Sequence, residues 1–220
     1  MQPYCTPVTL SGRTVTLEPL TIDHASELLD ALNGDEEVWR SIPVEQPKTL
    51  EDIQTWIATA LEEQAQGQRL PFAVIDNASR RAIGSTSYPN ILEPNRSLDI
   101  GWTWYARAYW RTAVNTACKY LLLRHAFETL GCIRVGLRTD RRHVRSQRAI
   151  ERIGGVKEGV LRKAQILYDG HERFVVCYAL LDEEWPARKT WFAERLTVAV
   201  SPHWHNTRGR GSPPTRCSNG

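Results

Sequence analysis

No apolar run in these 220 residues approaches the roughly 20 that a membrane span needs, so no segment reads as a transmembrane helix. The first fifteen residues, MQPYCTPVTLSGRTV, lack a charged start followed by an apolar core, which argues against a secretory leader. Cysteine is sparse and unpaired: Cys5, Cys118, Cys132, Cys177 and Cys217 make an odd count with no C-x-x-C spacing. That pattern supports neither a disulfide framework nor a thiolate metal site, and it predicts reduced, mostly buried thiols in a cytoplasmic protein. An excess of one charge is also missing. Lys and Arg total 28 against 25 Asp and Glu, a net +3, too mild to demand a nucleic acid or a membrane surface as partner. No internal repeat is visible.

What remains is an ordinary globular composition, 41% hydrophobic and 24% charged, in a chain of the length of one large domain or one domain plus a tail. Residues 13–20 alternate as a strand. Residues 21–34 read as a helix stopped at Asn33-Gly34, and residues 48–67 as a second helix with Thr49 as its cap. The period then changes to two: strands are expected at 70–76, 82–88 and 96–105. A long helix follows, with Val114, Cys118, Leu121, Leu122 and His125 on one side. After it come a strand (132–140), a short helix (144–155) and two strands joined at Asp169-Gly170, a strong hairpin signal. A last helix is expected from residue 182. From residue 197 periodicity gives way to Gly, Pro, Ser and Arg, which predicts a mobile tail over 197–220. His203-Trp204-His205 in that tail has no further ligand nearby and is not expected to hold a metal. The expected class is α/β (α+β), with a mainly antiparallel sheet and one parallel crossover between residues 98 and 139.

The stretch YWRTAVNTACKYLLLRHAFETLG, residues 109–131, runs from a loop into a helix without a break. A helix N-terminus carries unpaired amides and a partial positive charge. Residues 112–117 are small or short, none is acidic, and Arg111 and Lys119 stand nearby. Physics alone leaves two readings open, an anion site and a simple helix cap.

Four motifs narrow the choice: DIGWTW, WRTAVNTACKYLLLRHAFE, RSQRAIERIGG followed by KEGVLRK, and the DG hairpin ending in YALLDEEW. Together they resemble the GNAT superfamily of N-acetyltransferases, and within it the RimJ/RimL branch, over residues 13–196. The resemblance implies a GNAT fold, a mixed and mainly antiparallel twisted sheet flanked by helices. It implies acetyl-CoA as co-substrate and an amine acceptor, a protein N-terminus or a small amine. A homodimer stays open.

Carried over residue by residue, the resemblance implies that Trp104 and Tyr105 line the pantetheine arm, added like an extra strand. It implies that Arg111, Thr112, Ala113, Val114, Asn115 and Thr116 cradle the pyrophosphate. Ala113 stands where the family has glycine, and fits only if its torsion stays in an ordinary region. His143 replaces a family asparagine that contacts the arm. Arg145, with Arg148, is placed for the CoA 3′-phosphate, the bland alternative being a solvated helix face. Ile150 stands where many members carry an acidic tyrosine. Ser146 is then the expected proton relay to the sulfur, unless it only caps its helix. Asp99 is the first choice as base, with Glu18, Glu93 and Glu172 behind it. A non-catalytic acyl-CoA-binding protein is the main alternative. An RNA- or ribosome-binding module using the arginines of residues 138–148 stands third.

Overall fold

A computed structural model describes residues 3–40 and 42–198; the tail expected from residue 197 therefore lies, from 199 on, outside the described residues. Eight strands form one sheet: β1 (Leu10–Ser11), β2 (Val15–Pro19), β3 (Arg69–Asp76), β4 (Ala82–Pro89), β5 (Ser97–Tyr105), β6 (Arg134–Asp140), β7 (Val156–Ile166) and β8 (Glu172–Leu181). Their order is β1-β2-β3-β4-β5-β6-β8-β7. Every neighbouring pair is antiparallel except β5 and β6, which run parallel as expected for a crossover through a helix.

The helices are α1 (Ala25–Leu32), α2 (Glu36–Trp39), α3 (Leu50–Ala65), α4 (Val114–Arg124), α5 (Val144–Arg152) and α6 (Trp185–Val198). α3 starts where its sequence says: the Thr49 side chain accepts from the Asp52 amide while the Asp52 carboxylate accepts from the Thr49 amide. α1 begins later than its pattern suggests, because Ile22–His24 form a 3₁₀ turn first. It ends at Asn33 in the left-handed conformation (φ 45°), which a short polar side chain tolerates. β1, α2 and the π-helical turn His125–Thr129 that extends α4 are additions to the sequence reading.

The pleat sorts the core. On β3, Phe72 and Val74 join a cluster with the buried faces of α4 and α6, while Ala73 and Ile75 join a second cluster with α1, α2 and α3. The sheet is thus covered on both faces, which is why β3 is buried along its whole length. The predicted stripe Val114, Cys118, Leu121, Leu122 and His125 is buried throughout.

Candidate active site

The site begins where the parallel pair fails. β5 and β6 are in register from Ser97 opposite Arg134 to Ile100 opposite Leu137, and no further. Beyond that point β5 still runs to Tyr105 and β6 to Asp140, held only on their outer sides by β4 and β8. Their facing edges, from Gly101 and from Arg138, are left without a neighbouring strand. A bulge contributes to the divergence. Ser85 pairs with Trp104 and Ser87 with Gly101, so two residues of β5 oppose Thr86 alone, and Trp102 takes φ 51°. The opening holds a cavity of about 1010 Å³. Its walls come from β5, β6, α5, and the loop ahead of α4.

That loop presents amides. Arg107–Tyr109 form a 3₁₀ turn, Trp110 donates its indole N–H to the Tyr105 carbonyl (2.9 Å), and Arg111 turns the chain through φ 61°. Among the described residues, no backbone carbonyl accepts from the amides of Arg111 to Thr116; that of Val114 reaches the Thr112 hydroxyl at 3.3 Å, and the helical bonding starts with Ala117 to Ala113 at 2.8 Å. Ala113 is helical (φ −71°, ψ −13°), so its methyl costs nothing there. The positive φ of this loop is at Arg111. Only the backbone of Val114 can serve an anion, because its side chain is buried in the core.

Cations gather at the same place, and two of them have no anion at ion-pair distance among the described residues. The Arg145 guanidinium lies 3.5 Å from the Trp110 ring centroid and that of Arg107 4.8 Å from it. Arg107 is paired with Asp35. Arg111 and Arg145 have no carboxylate at ion-pair distance among the described residues. Burial, and then the positive charges of Arg107 and Arg111, hold the Arg145 pKa below its ordinary value.

The two sequence-predicted catalytic residues both line the cavity. Ser146 lies in the first turn of α5, yet it is not the cap. His143 holds that position, and makes no side-chain capping bond. Asp99 sits opposite Gly136 on the last paired stretch. Its carboxylate accepts from Asn90 Nδ2 (2.8 Å) and ion-pairs with Arg138 Nε (2.9 Å). A Cβ on Gly136 would lie 2.0 Å from Asp99 Oδ1, so the glycine makes room for the carboxylate.

The other expected residues differ in where they lie. The Trp104 side chain, on a residue that borders the cavity as Tyr105 does, is 2% exposed. It is buried among Trp39 and Trp56, at centroid distances of 5.4 and 6.4 Å, while Tyr105 is buried on the opposite face of the sheet. What both residues can offer is backbone. His143 is not among the cavity-lining residues; its Nδ1 is buried without a partner, and burial depresses its pKa. Glu18, Glu93 and Glu172 also lie away from the cavity walls, with Glu172 paired to Lys163. Among the described residues, the carboxylates on those walls are Asp99 and Glu63.

Two buried cations on the walls differ from the sequence reading, which set Lys119 beside the loop as a nearby charge and did not single out Arg69. Lys119 is buried, not loop-facing, and donates to Thr103 Oγ1 (2.9 Å), which in turn bonds Thr86 Oγ1 (2.8 Å). Burial lowers its pKa from 10.5 to about 8. Its position inside the apolar run TACKYLLL was the available signal. Arg69 is buried at 3% exposure on β3, with nothing in its local sequence to suggest it.

A mixed sheet opened on its one parallel pair, with bare amides and two unpaired guanidiniums at the mouth, makes a cleft whose chemistry suits an anionic group. The chain belongs to the GNAT acetyltransferase family, whose domain model matches residues 14–156. A curated relative, "Putative ribosomal N-acetyltransferase YdaF" of Bacillus subtilis (strain 168), is 32% identical over 106 residues, which are 48% of this chain and 57% of the relative. The match therefore spans little more than half of that relative's length. A GCN5-related N-acetyltransferase from Brucella melitensis superposes with a TM-score of 0.80 at 28% identity, over 86% of this chain and 85% of that one. Mycobacterium smegmatis RimJ in complex with CoA-disulfide superposes with a TM-score of 0.75, over 89% and 96% of the two chains; at 21% identity it speaks for the fold alone.

Proposed function

We propose that the protein is an N-acetyltransferase that moves the acetyl group of acetyl-CoA to a primary amine while both substrates are bound. The observation that carries this reading is the unpaired β5 edge opening onto bare amides flanked by two unpaired guanidiniums. These residues fit a CoA thioester. The amides of Arg111 to Thr116, with the Arg111 and Arg145 side chains, meet its phosphates. The backbone of Gly101 to Tyr105 supplies an edge for the arm.

Acetyl-CoA brings an activated acetyl group; the chain does the rest. Asp99, held by Arg138 and Asn90, takes up the amine proton directly or through water. The Ser146 hydroxyl, which has no partner among the described residues, hydrogen-bonds the departing sulfur and relays to it a proton from solvent water, regaining its own as it gives it up. Ile150 in place of an acidic side chain leaves that task to serine. A protein N-terminus is the preferred acceptor class, supported by the name of the Bacillus relative. A small amine is the second class. The absence of a stronger acid at Ile150 favours one rival, an acyl-CoA-binding protein without turnover.

Calorimetric titration of acetyl-CoA at moderate and high salt tests the reading. One-to-one binding that weakens with salt is expected, followed by amine-dependent release of thiol. Ser146→Ala should leave the affinity for acetyl-CoA intact and lower kcat about a hundredfold, the lower end of what a positioned proton donor contributes. An absence of binding sinks the proposal; binding without turnover on any amine selects the rival.

A further inference from the structure

A second hollow of about 490 Å³ adjoins the first, and the two share Glu63, Arg69 and Trp102. It lies between the chain at Val44–Lys48, one face of α3, and the β5 bulge. None of the site residues expected from the sequence belongs to it. Arg69 stands at the junction. Its Nε donates to Ser87 Oγ (2.9 Å) and its Nη1 to Glu63 Oε2 (3.0 Å), but its Nη2 is buried with no acceptor. The Trp56 indole N–H is buried without an acceptor too, on a ring 5.6 Å from the same guanidinium. Trp102 covers Arg69 from the other side at 4.3 Å.

Buried donors seldom go unpaired, and here the orphans share one polarity. What is missing is an oxygen that accepts. A guanidinium already paired with Glu63 has little charge left to offer, so a second carboxylate would face that of Glu63. A neutral carbonyl oxygen fits without that repulsion. Glu63 spends only Oε2 on Arg69; its side chain is one-third exposed, and Oε1, without a partner among the described residues, can accept from an ammonium group.

We infer that the Glu63–Arg69 pair is an acceptor-recognition site, reading an amine together with a carbonyl oxygen on the neighbouring carbon. Glu63 attracts the ammonium, and Arg69 Nη2 donates to the carbonyl once the acceptor slides under the Trp102 indole. The first residue of a peptide has this chemistry; a polyamine does not. The inference rests on the acetyltransferase reading and deepens it at the acceptor end.

The test compares alaninamide with isopropylamine, which has a methyl group in place of the carboxamide that carries the carbonyl. Binding to the CoA-loaded protein is followed by ligand-detected NMR, and acetyl transfer by thiol release. Alaninamide should be favoured by about tenfold or more, the scale of one hydrogen bond to a charged group. Arg69→Lys, which keeps the charge and removes the planar fork, should abolish that preference. Glu63→Gln should weaken both amines while leaving acetyl-CoA affinity unchanged; it also guards against an Arg69 variant that fails to fold. Equal binding of the two amines, or a preference that survives Arg69→Lys, overturns the inference. The NMR arm needs no turnover, so failure of acetyl transfer alone would count against the enzyme reading and not against this site.

Discussion

Lys119 shows what a single residue costs when it is kept for a site. It is buried among the apolar residues of α4 with one hydrogen bond, to Thr103, and no carboxylate at ion-pair distance among the described residues. Desolvation drives its pKa from 10.5 to about 8, so the folded state pays for the charge at neutral pH. A folded pKa below the unfolded one means that the unfolded chain binds more protons between those values. Stability therefore falls as pH drops from 10.5 towards 8, and stays lowered below that. Lys119→Met should raise the stability of the free protein at pH 7 by up to about 3 kcal/mol, as read from chemical denaturation. A destabilised variant would mean that the Thr86–Thr103–Lys119 chain is worth more than the desolvation it requires. Ser146 and Asp99 were visible at this scale because they fall inside motifs. Arg69 and Glu63 were not, since one stands at the start of a strand and the other on a helix 6 residues earlier, and only packing brings them to 3.0 Å.

At the scale of elements, the site depends on how β5 is held. Its outer edge must stay on β4 while its inner edge parts from β6. Gly84 permits the first: a Cβ there would meet the Trp104 carbonyl oxygen at 2.2 Å and the Tyr105 Cα at 2.9 Å. Gly84→Ala should push β5 away from β4, lower the melting temperature by several degrees, and weaken acetyl-CoA binding in parallel. Thermal unfolding and calorimetry on the same sample check this; full affinity in a destabilised variant would show that the open edge is set elsewhere. The strands, the main helices and the DG hairpin were legible from period and turn chemistry. The bulge was not, because Trp102 at φ 51° follows no residue preference and is imposed by the register on both sides of Thr86.

For the whole molecule, acidity is the natural lever. His125 is buried at 6% exposure and stacked on Tyr88, and neither ring nitrogen has a partner. Burial, and then Arg124, hold its pKa below 6.5, and His143 is depressed in the same direction. The unfolded chain would therefore take up protons first, so stability should decline as pH falls through 6.5. The carboxylates of Asp140 and Glu158, whose pKa values are lowered, add their own loss at lower pH still. Melting temperatures from pH 8 to pH 5 should show the decline, and His125→Phe should flatten its upper part. An unchanged slope in that variant would assign the effect to His143 instead.

The sequence by itself determined the main elements, though not β1, α2 or the π-helical turn, because period, caps and turn residues act over a few neighbours. It also determined the family, because the loop-to-helix and hairpin motifs are contiguous strings. Only the tertiary structure decided where β5 leaves β6, that the Trp104 and Tyr105 side chains are buried on opposite faces of the sheet, that His143 stays off the cavity wall, and that Glu63 and Arg69 meet. Each of these depends on register and on desolvation by residues far away in the chain, which no local pattern encodes.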